Sequence, residues 1–204
     1  MKEKPISYIT PMVQAIINLN KTQTRRTRGL EKINENPDKY YFQSLVLHAT
    51  GAYTFVVKGN YNPKPEDVIV VKCPYQPGDL LWVKETFALS STRWRYKADS
   101  GWTFEEKEMG EVAKWKSPRF MPKAAARIWL QIEEIRVERL QDITYQDILV
   151  EGMPKPLGDY SSPVDWFETL WTKINGPGSW DANPWVWVIT FKVVSTTGKL
   201  NLES

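Results

Sequence analysis

Trp185-Val186-Trp187-Val188-Ile189-Thr190-Phe191-Lys192-Val193-Val194 is an almost unbroken run of aromatic and β-branched residues. Apolar side chains on both faces place such a strand inside a sheet rather than at its rim. Upstream, Arg127 to Val137 alternates, with Ile128, Leu130, Ile132 and Ile135 among polar neighbours and a slip at Glu133-Glu134 that suggests a bulge. Leu80 to Phe87 favours strand and follows the turn Gln76-Pro77-Gly78-Asp79. Shorter strands are expected at Ile6–Ile9, Leu45–His48, Tyr53–Lys58, Val68–Val71 and Trp94–Lys97. Residues 27 to 44 read as a polar loop with a helical turn, and 98 to 123 as an excursion.

Three helices punctuate these strands. Thr10-Pro11 supplies an N-cap and a first-turn proline, and Met12, Ala15, Ile16 and Leu19 carry the helix to about Leu19 or Asn20. Thr144 caps a short helix with Ile148 and Leu149, closed by Gly152. Ser162-Pro163 opens a third, striped by Val164, Phe167, Leu170, Trp171 and Ile174. The fold class is therefore α+β, a strand-rich barrel or sheet flanked by short helices.

A chain of 204 residues suffices for one well-formed core, so a single domain over 1–204 is expected. The formal charge of +3 permits contact with a nucleotide or RNA but falls short of a dedicated duplex binder. Cys73 and His48 are each the sole residue of their kind, which excludes Cys/His zinc clusters and internal disulfides. A carboxylate-held magnesium is not excluded, though no spacing argues for it, and no cofactor is expected. The lone cysteine favours a reducing, cytoplasmic setting. Met1 to Pro5 is charged with no signal-length apolar run behind it, and no stretch approaches a membrane span, so a soluble protein is expected. The ten tryptophans are read first as core, although Trp82 or Trp187 could stack on a base.

Lys21-Thr22-Gln23-Thr24-Arg25-Arg26 places an amine, two hydroxyls and two guanidiniums at the end of the first helix. If the helical turn continues, Lys21 and Thr24 share a face. An amine beside a hydroxyl can be a base beside a nucleophile, or an ordinary basic helix end. The residues alone leave that choice open. Arg26 suits either a nucleotide or a carboxylate of the fold. Lys84 and Glu85 follow one another on an expected strand, so one points inward. An inward charge suits a ligand contact or, equally, an ion pair with Arg26.

The segment Lys21–Arg26, the run Pro77-Gly78-Asp79-Leu80-Leu81-Trp82-Val83 and the ending Trp185–Lys192 together resemble the ASCH branch of the PUA-like superfamily. With Lys84-Glu85-Thr86 and Met121-Pro122, the chain is similar to ASCH proteins of bacteriophages and prophages. The resemblance leaves out insertions at about 27–75 and 88–120, and it implies a small PUA-like β-barrel. Small bacterial ASCH proteins include amidohydrolases that remove the acyl group of N4-acetylcytidine through a Lys/Thr/Glu triad. Carried over, that triad is Lys21, Thr24 and Glu151, with Arg26, Lys84 and Glu85 as substrate-binding candidates. The broader signature has glycine where this chain has Leu19, and glutamate where it has Thr24. Threonine is what the amidohydrolase branch shows.

Such a reaction needs a nucleophile, a base and an acid for the leaving nitrogen. Lys21 would be the base, Thr24 the nucleophile and Glu151 the donor to N4, and a water activated by the same residues is an alternative attacker. Glu151 sits at an expected helix C-terminus, which disfavours a carboxylate and suits an acid. Lys21 needs burial, or the nearby Arg25 or Arg26, to be neutral. The expected partner is a small nucleoside substrate, with RNA possible and oligomeric state open. Competing readings are a non-catalytic RNA-binding module, a ribonuclease for which His48 is the sole histidine available, and a phage assembly accessory.

Overall fold

The computed structural model describes residues 1–46, 52–59, 62–90, 93–99 and 114–199. Its strands are β1 (Glu3–Ser7), β2 (Gln23–Arg26), β3 (Tyr40–Val46), β4 (Ala52–Val57), β5 (Val68–Lys72), β6 (Leu80–Lys84), β7 (Phe87–Ser90), β8 (Arg93–Tyr96), β9 (Trp129–Arg139) and β10 (Trp185–Ser195). They form a five-stranded mixed sheet in the order β1-β6-β9-β10-β2, a three-stranded sheet β3-β4-β5, and the pair β7-β8. The chain is α+β as expected, and among the described residues these sheets do not close into a barrel. β10 is internal to its sheet, and Val186 to Ile189 are fully buried. Among the described residues no helix is long and apolar enough to cross a membrane.

The chain divides into two compact units. The first comprises Met1–Thr22, Gly78–Ile132 and Phe191–Ser204. Here β1 runs parallel to β6, Ile6 opposite Val83, while β6 lies antiparallel to β9, Leu81 opposite Leu130. Leu81, Val83, Ile128 and Leu130 are fully buried between these strands and their cover. The turn before β6 is fixed by Asp79, which accepts from the Lys2 backbone N–H at 3.0 Å and from Lys4 Nζ at 2.6 Å. The run read as one strand from Leu80 to Phe87 is interrupted at Glu85-Thr86. Phe87 begins a separate hairpin strand, packed with Met121 and Ala125 against Trp94 and Tyr96.

The first helix is Thr10–Ile17, which buries Met12, Val13, Ala15 and Ile16. Ile9, rather than Thr10, is its N-cap, with no side-chain cap bond. The helix stops earlier than its apolar spacing suggests because Leu19 turns left-handed, with φ 58°. The backbone N–H groups of Asn20 and Lys21 then both bond back to the Ala15 carbonyl, at 2.8 and 3.1 Å. The helical turn does not continue through Thr24, the condition on which Lys21 and Thr24 would share a helix face, and Gln23–Arg26 is extended.

The second unit comprises Gln23–Pro77 and Glu133–Thr190. In it β2 pairs antiparallel with β10, Thr24 opposite Ile189 and Arg25 opposite Val188. The segment read as a polar loop holds a helical turn at Glu31–Asn34 and then β3, which begins at Tyr40. Its strand character is a long-range effect, because Tyr40 to Phe42 pair with Phe55 to Val57 of β4. Two helices behave as read. Tyr145–Val150 is capped by Thr144 in a reciprocal box with Asp147, and Gly152 beyond it has φ 97°. Pro163–Asn175 is capped by Ser162 and buries Trp166, Phe167 and Trp171. Trp187 is core: its ring meets Tyr53 edge-on at 4.6 Å and its Nε1 donates to the Arg28 carbonyl at 3.0 Å.

Candidate active site

Each member of the expected triad is withdrawn from solvent: Lys21 is 2%, Thr24 4% and Glu151 3% exposed. A buried lysine is costly unless its charge is compensated or lost, so its burial calls for a specific cause. Lys21 belongs to the first unit, where its Nζ lies 5.8 Å from the centroid of the Tyr8 ring. Thr24 and Glu151 belong to the second.

Within the second unit the contacts centre on Arg25, which sequence reasoning mentioned only as a neighbour of Lys21. Its Nη1 donates to Glu151 Oε1 at 2.9 Å and to Gln23 Oε1 at 2.8 Å. Its Nε and Nη2 donate to Glu138 Oε1 at 3.1 and 2.5 Å, and Nη2 stands 3.4 Å from Asp147 Oδ2. The Phe167 ring lies 5.7 Å from the guanidinium carbon. Arg136 closes the far side, donating to Glu138 Oε2 at 3.1 Å and Asp147 Oδ1 at 2.8 Å.

Local structure explains the convergence. Gln23 and Arg25, two apart on β2, share one face of the strand, while alternation turns Thr24 and Arg26 to the other. Arg136 and Glu138 are likewise two apart on β9. Asp147 and Glu151 are four apart, which brings both carboxylates to one side of the helical turn that they begin and end. Glu151 is thus met from the Gln23/Arg25 face of β2, and the strand does not by itself bring Thr24 to it.

The electrostatics follow from these contacts. Burial alone would push the Asp147 carboxyl up, but the Thr144 hydroxyl and backbone N–H, Arg25 and Arg136 outweigh it and hold the carboxyl well below the usual range. The Arg136 guanidinium, despite burial, is raised by Glu138 and Asp147. Glu151 is the C-cap of its helix, as expected, and Arg25 meets its carboxyl there with one hydrogen bond.

The other candidates lie elsewhere. Glu85, in the first unit, is fully buried and accepts both forks of Arg127, at 2.9 and 3.0 Å, so its partner is Arg127 and not Arg26. Lys84 Nζ donates to the Arg119 carbonyl at 2.6 Å. Arg26, half-buried on the Thr24 face, lies near Tyr75 and lowers the proton affinity of its phenol, which burial pushes up overall. His48 lies outside the described residues. Among the described residues no group of three or more His, Cys, Asp or Glu is placed to hold a metal ion.

Sequence periodicity gave little access to the Arg25 hub, because its partners Glu138 and Glu151 are 113 and 126 residues away. The one local signal was Gln23-x-Arg25, two polar residues on the same face of a strand. No family model matches the chain, and comparisons with curated proteins and with solved structures likewise find no match.

Proposed function

We propose that the chain is a PUA-like protein of the ASCH kind and an amidohydrolase for N4-acylated cytosine nucleosides, releasing cytidine and acetate from N4-acetylcytidine. The observation that carries this reading is the burial of a lysine amine on a Lys-Thr-x-Thr segment, where an ordinary basic helix end would be solvated. A second observation supports it. The position at which the ASCH signature has glycine is left-handed here, a conformation glycine takes without strain, and the 68% exposed Leu19 at φ 58° gains no burial in return.

In the proposed reaction the Lys21 amine takes the Thr24 proton and Oγ bonds to the acyl carbon. The C–N4 bond then breaks as Glu151 gives a proton to N4. Water cleaves the resulting ester, returning one proton to Glu151 while Lys21 restores the Thr24 hydroxyl. Arg26, on the Thr24 face of β2, is the substrate-binding candidate best placed to meet the nucleoside. Lys84 and Glu85 are already engaged within the fold.

The test is incubation of the purified protein with N4-acetylcytidine, following cytidine by chromatography. Turnover is expected to fall by about 100-fold or more in Lys21→Ala, Thr24→Val and Glu151→Gln. Folded wild type that is inert toward N4-acetylcytidine and bulkier N4-acyl analogues would sink the reading. Salt-dependent RNA affinity in that inert protein would put a binding module in its place.

A further inference from the structure

The small sheet β3-β4-β5 falls in the stretch that the ASCH resemblance leaves out, so a role found there stands apart from the proposed reaction. β5 is an outer strand of that sheet. Its register against β4 is unbroken over five pairs, from Val68 opposite Val56 to Lys72 opposite Ala52. Among the described residues its backbone bonds to no other segment. An antiparallel edge strand turns every second N–H and C=O away from its neighbour, so β5 keeps a row of open donors and acceptors.

Other edges of the molecule are guarded. β1, at the rim of the five-stranded sheet, carries Pro5 at its centre, and β3, across the small sheet from β5, is bulged between Phe42 and Ser44. β5 has neither device: Val68-Ile69-Val70-Val71 is four β-branched residues in succession, with a charge only at Lys72. Ile69 and Val71 lie opposite Phe55 and Tyr53, whose rings pack on Trp185 and Trp187. Alternation turns Val68, Val70 and Lys72 to the other face, where Val70 is 57% exposed.

The flanking charges select the occupant of this edge. The strand opens on the acidic turn Glu66-Asp67 and closes on Lys72. Glu66 and Lys72 are exposed, and among the described residues neither is ion-paired. Parallel pairing of two such strands would set like charges together, whereas antiparallel pairing sets each Lys72 beside the other copy's acidic turn. We propose that β5 pairs antiparallel with β5 of a second copy of this chain, about a twofold axis through Val70. Val70 then faces the partner's Val70, Ile69 the partner's Val71, and Val68 the partner's Lys72. The seam joins two three-stranded sheets into one. A strand this short falls below the roughly 1,200 Å² of a stable interface, so the association depends on concentration.

The test is sedimentation velocity from about 10 μM to 1 mM, with folding of each variant checked by thermal melting. Wild type is expected to pass from monomer to dimer across that range. Val70→Lys, at an exposed site, is expected to weaken the association by about 10-fold or more. Lys72→Glu should weaken it by about 3- to 10-fold, and adding Glu66→Lys should recover the wild-type value, because opposite charges face each other again. Amide exchange locates the seam: alternate amides of β5 should exchange fast in dilute protein and slow several-fold in concentrated protein. Wild type that stays monomeric throughout overturns the proposal and leaves the edge to a strand of another protein. Dimerisation that is unchanged in Val70→Lys, or that leaves exchange in β5 as fast as before, overturns it as well. A charge swap that recovers nothing of what Lys72→Glu loses overturns the antiparallel pairing.

Discussion

Arg25, buried, and Arg127, half-buried, are both held by carboxylates, and they are held in different ways. In the first unit Arg127 gives Nε and Nη2 to the two oxygens of Glu85, and Nη1 to Asp99 at 2.6 Å, with the Tyr96 ring 4.0 Å beneath. That is a fork closed on a fork, with a rim carboxylate to spare. In the second unit Arg25 divides its donors among Gln23, Glu138 and Glu151 and adds Asp147 as an ion pair. A closed pair staples two strands of chain and offers a ligand nothing. A divided guanidinium gives Glu151 a single N–H. The difference separates Glu85, held by both forks of one arginine, from Glu151, which takes one N–H of a shared one.

The largest expected effect is on the divided hub. Arg25→Met should cost about 3–5 kcal/mol in urea unfolding, because it strands carboxylates that remain buried. A loss under about 1 kcal/mol would show that the hub carries little of the fold and would break the comparison. Glu85→Gln should cost less, about 2 kcal/mol, since Arg127 keeps Asp99 and some solvent. Equal losses in the two variants would erase the distinction drawn here.

Acid titration sharpens it further. Asp147 is held low, so its contribution is complete above the ordinary carboxylate range, about pH 4, and is lost as pH falls through its lower folded value. Burial pushes the Glu85 carboxyl up despite its hydrogen bonds from Arg127, so its contribution is complete below about pH 4 and is lost as pH rises through its higher folded value. Stability measured between about pH 6 and 3 should therefore fall less steeply on acidification in Asp147→Asn and more steeply in Glu85→Gln. Parallel slopes in all three proteins would refute the assignment of opposite signs.

The smallest effect, and the one of opposite direction, is at Leu19. Leu19→Gly relieves a left-handed backbone at an exposed site and gives back part of the gain as chain entropy. A net stabilisation of about 0.5–1 kcal/mol is expected. For a chain of this size that is a rise in melting temperature of roughly 2–4 °C per kcal/mol. A fall would mean that Leu19 packs on something its exposure does not reveal.

What the residues disclosed in advance is what local physics decides. Thr144 with Asp147, Ser162 with Pro163, and the apolar run from Trp185 each fix their own element within a few residues. β2 is not legible in Thr22 to Arg26, which show no apolar alternation, and the turn out of the helix comes from the backbone at Leu19, where leucine hides a conformation usually marked by glycine. β3 was shortened because Tyr40 to Phe42 become strand by pairing with β4. Of the candidate site, the buried Lys21, Thr24 and Glu151 were named, while Arg25 passed as one more basic residue. Its meaning depends on Glu138 and Glu151, which only the folded chain brings to it.

The left-handed leucine also decides where the lysine beyond it goes. With φ 58° at Leu19, the amides of Asn20 and Lys21 both close on the Ala15 carbonyl, and the chain leaves the helix at once. The amine two residues on is thereby hidden from water instead of lengthening the basic end of a helix.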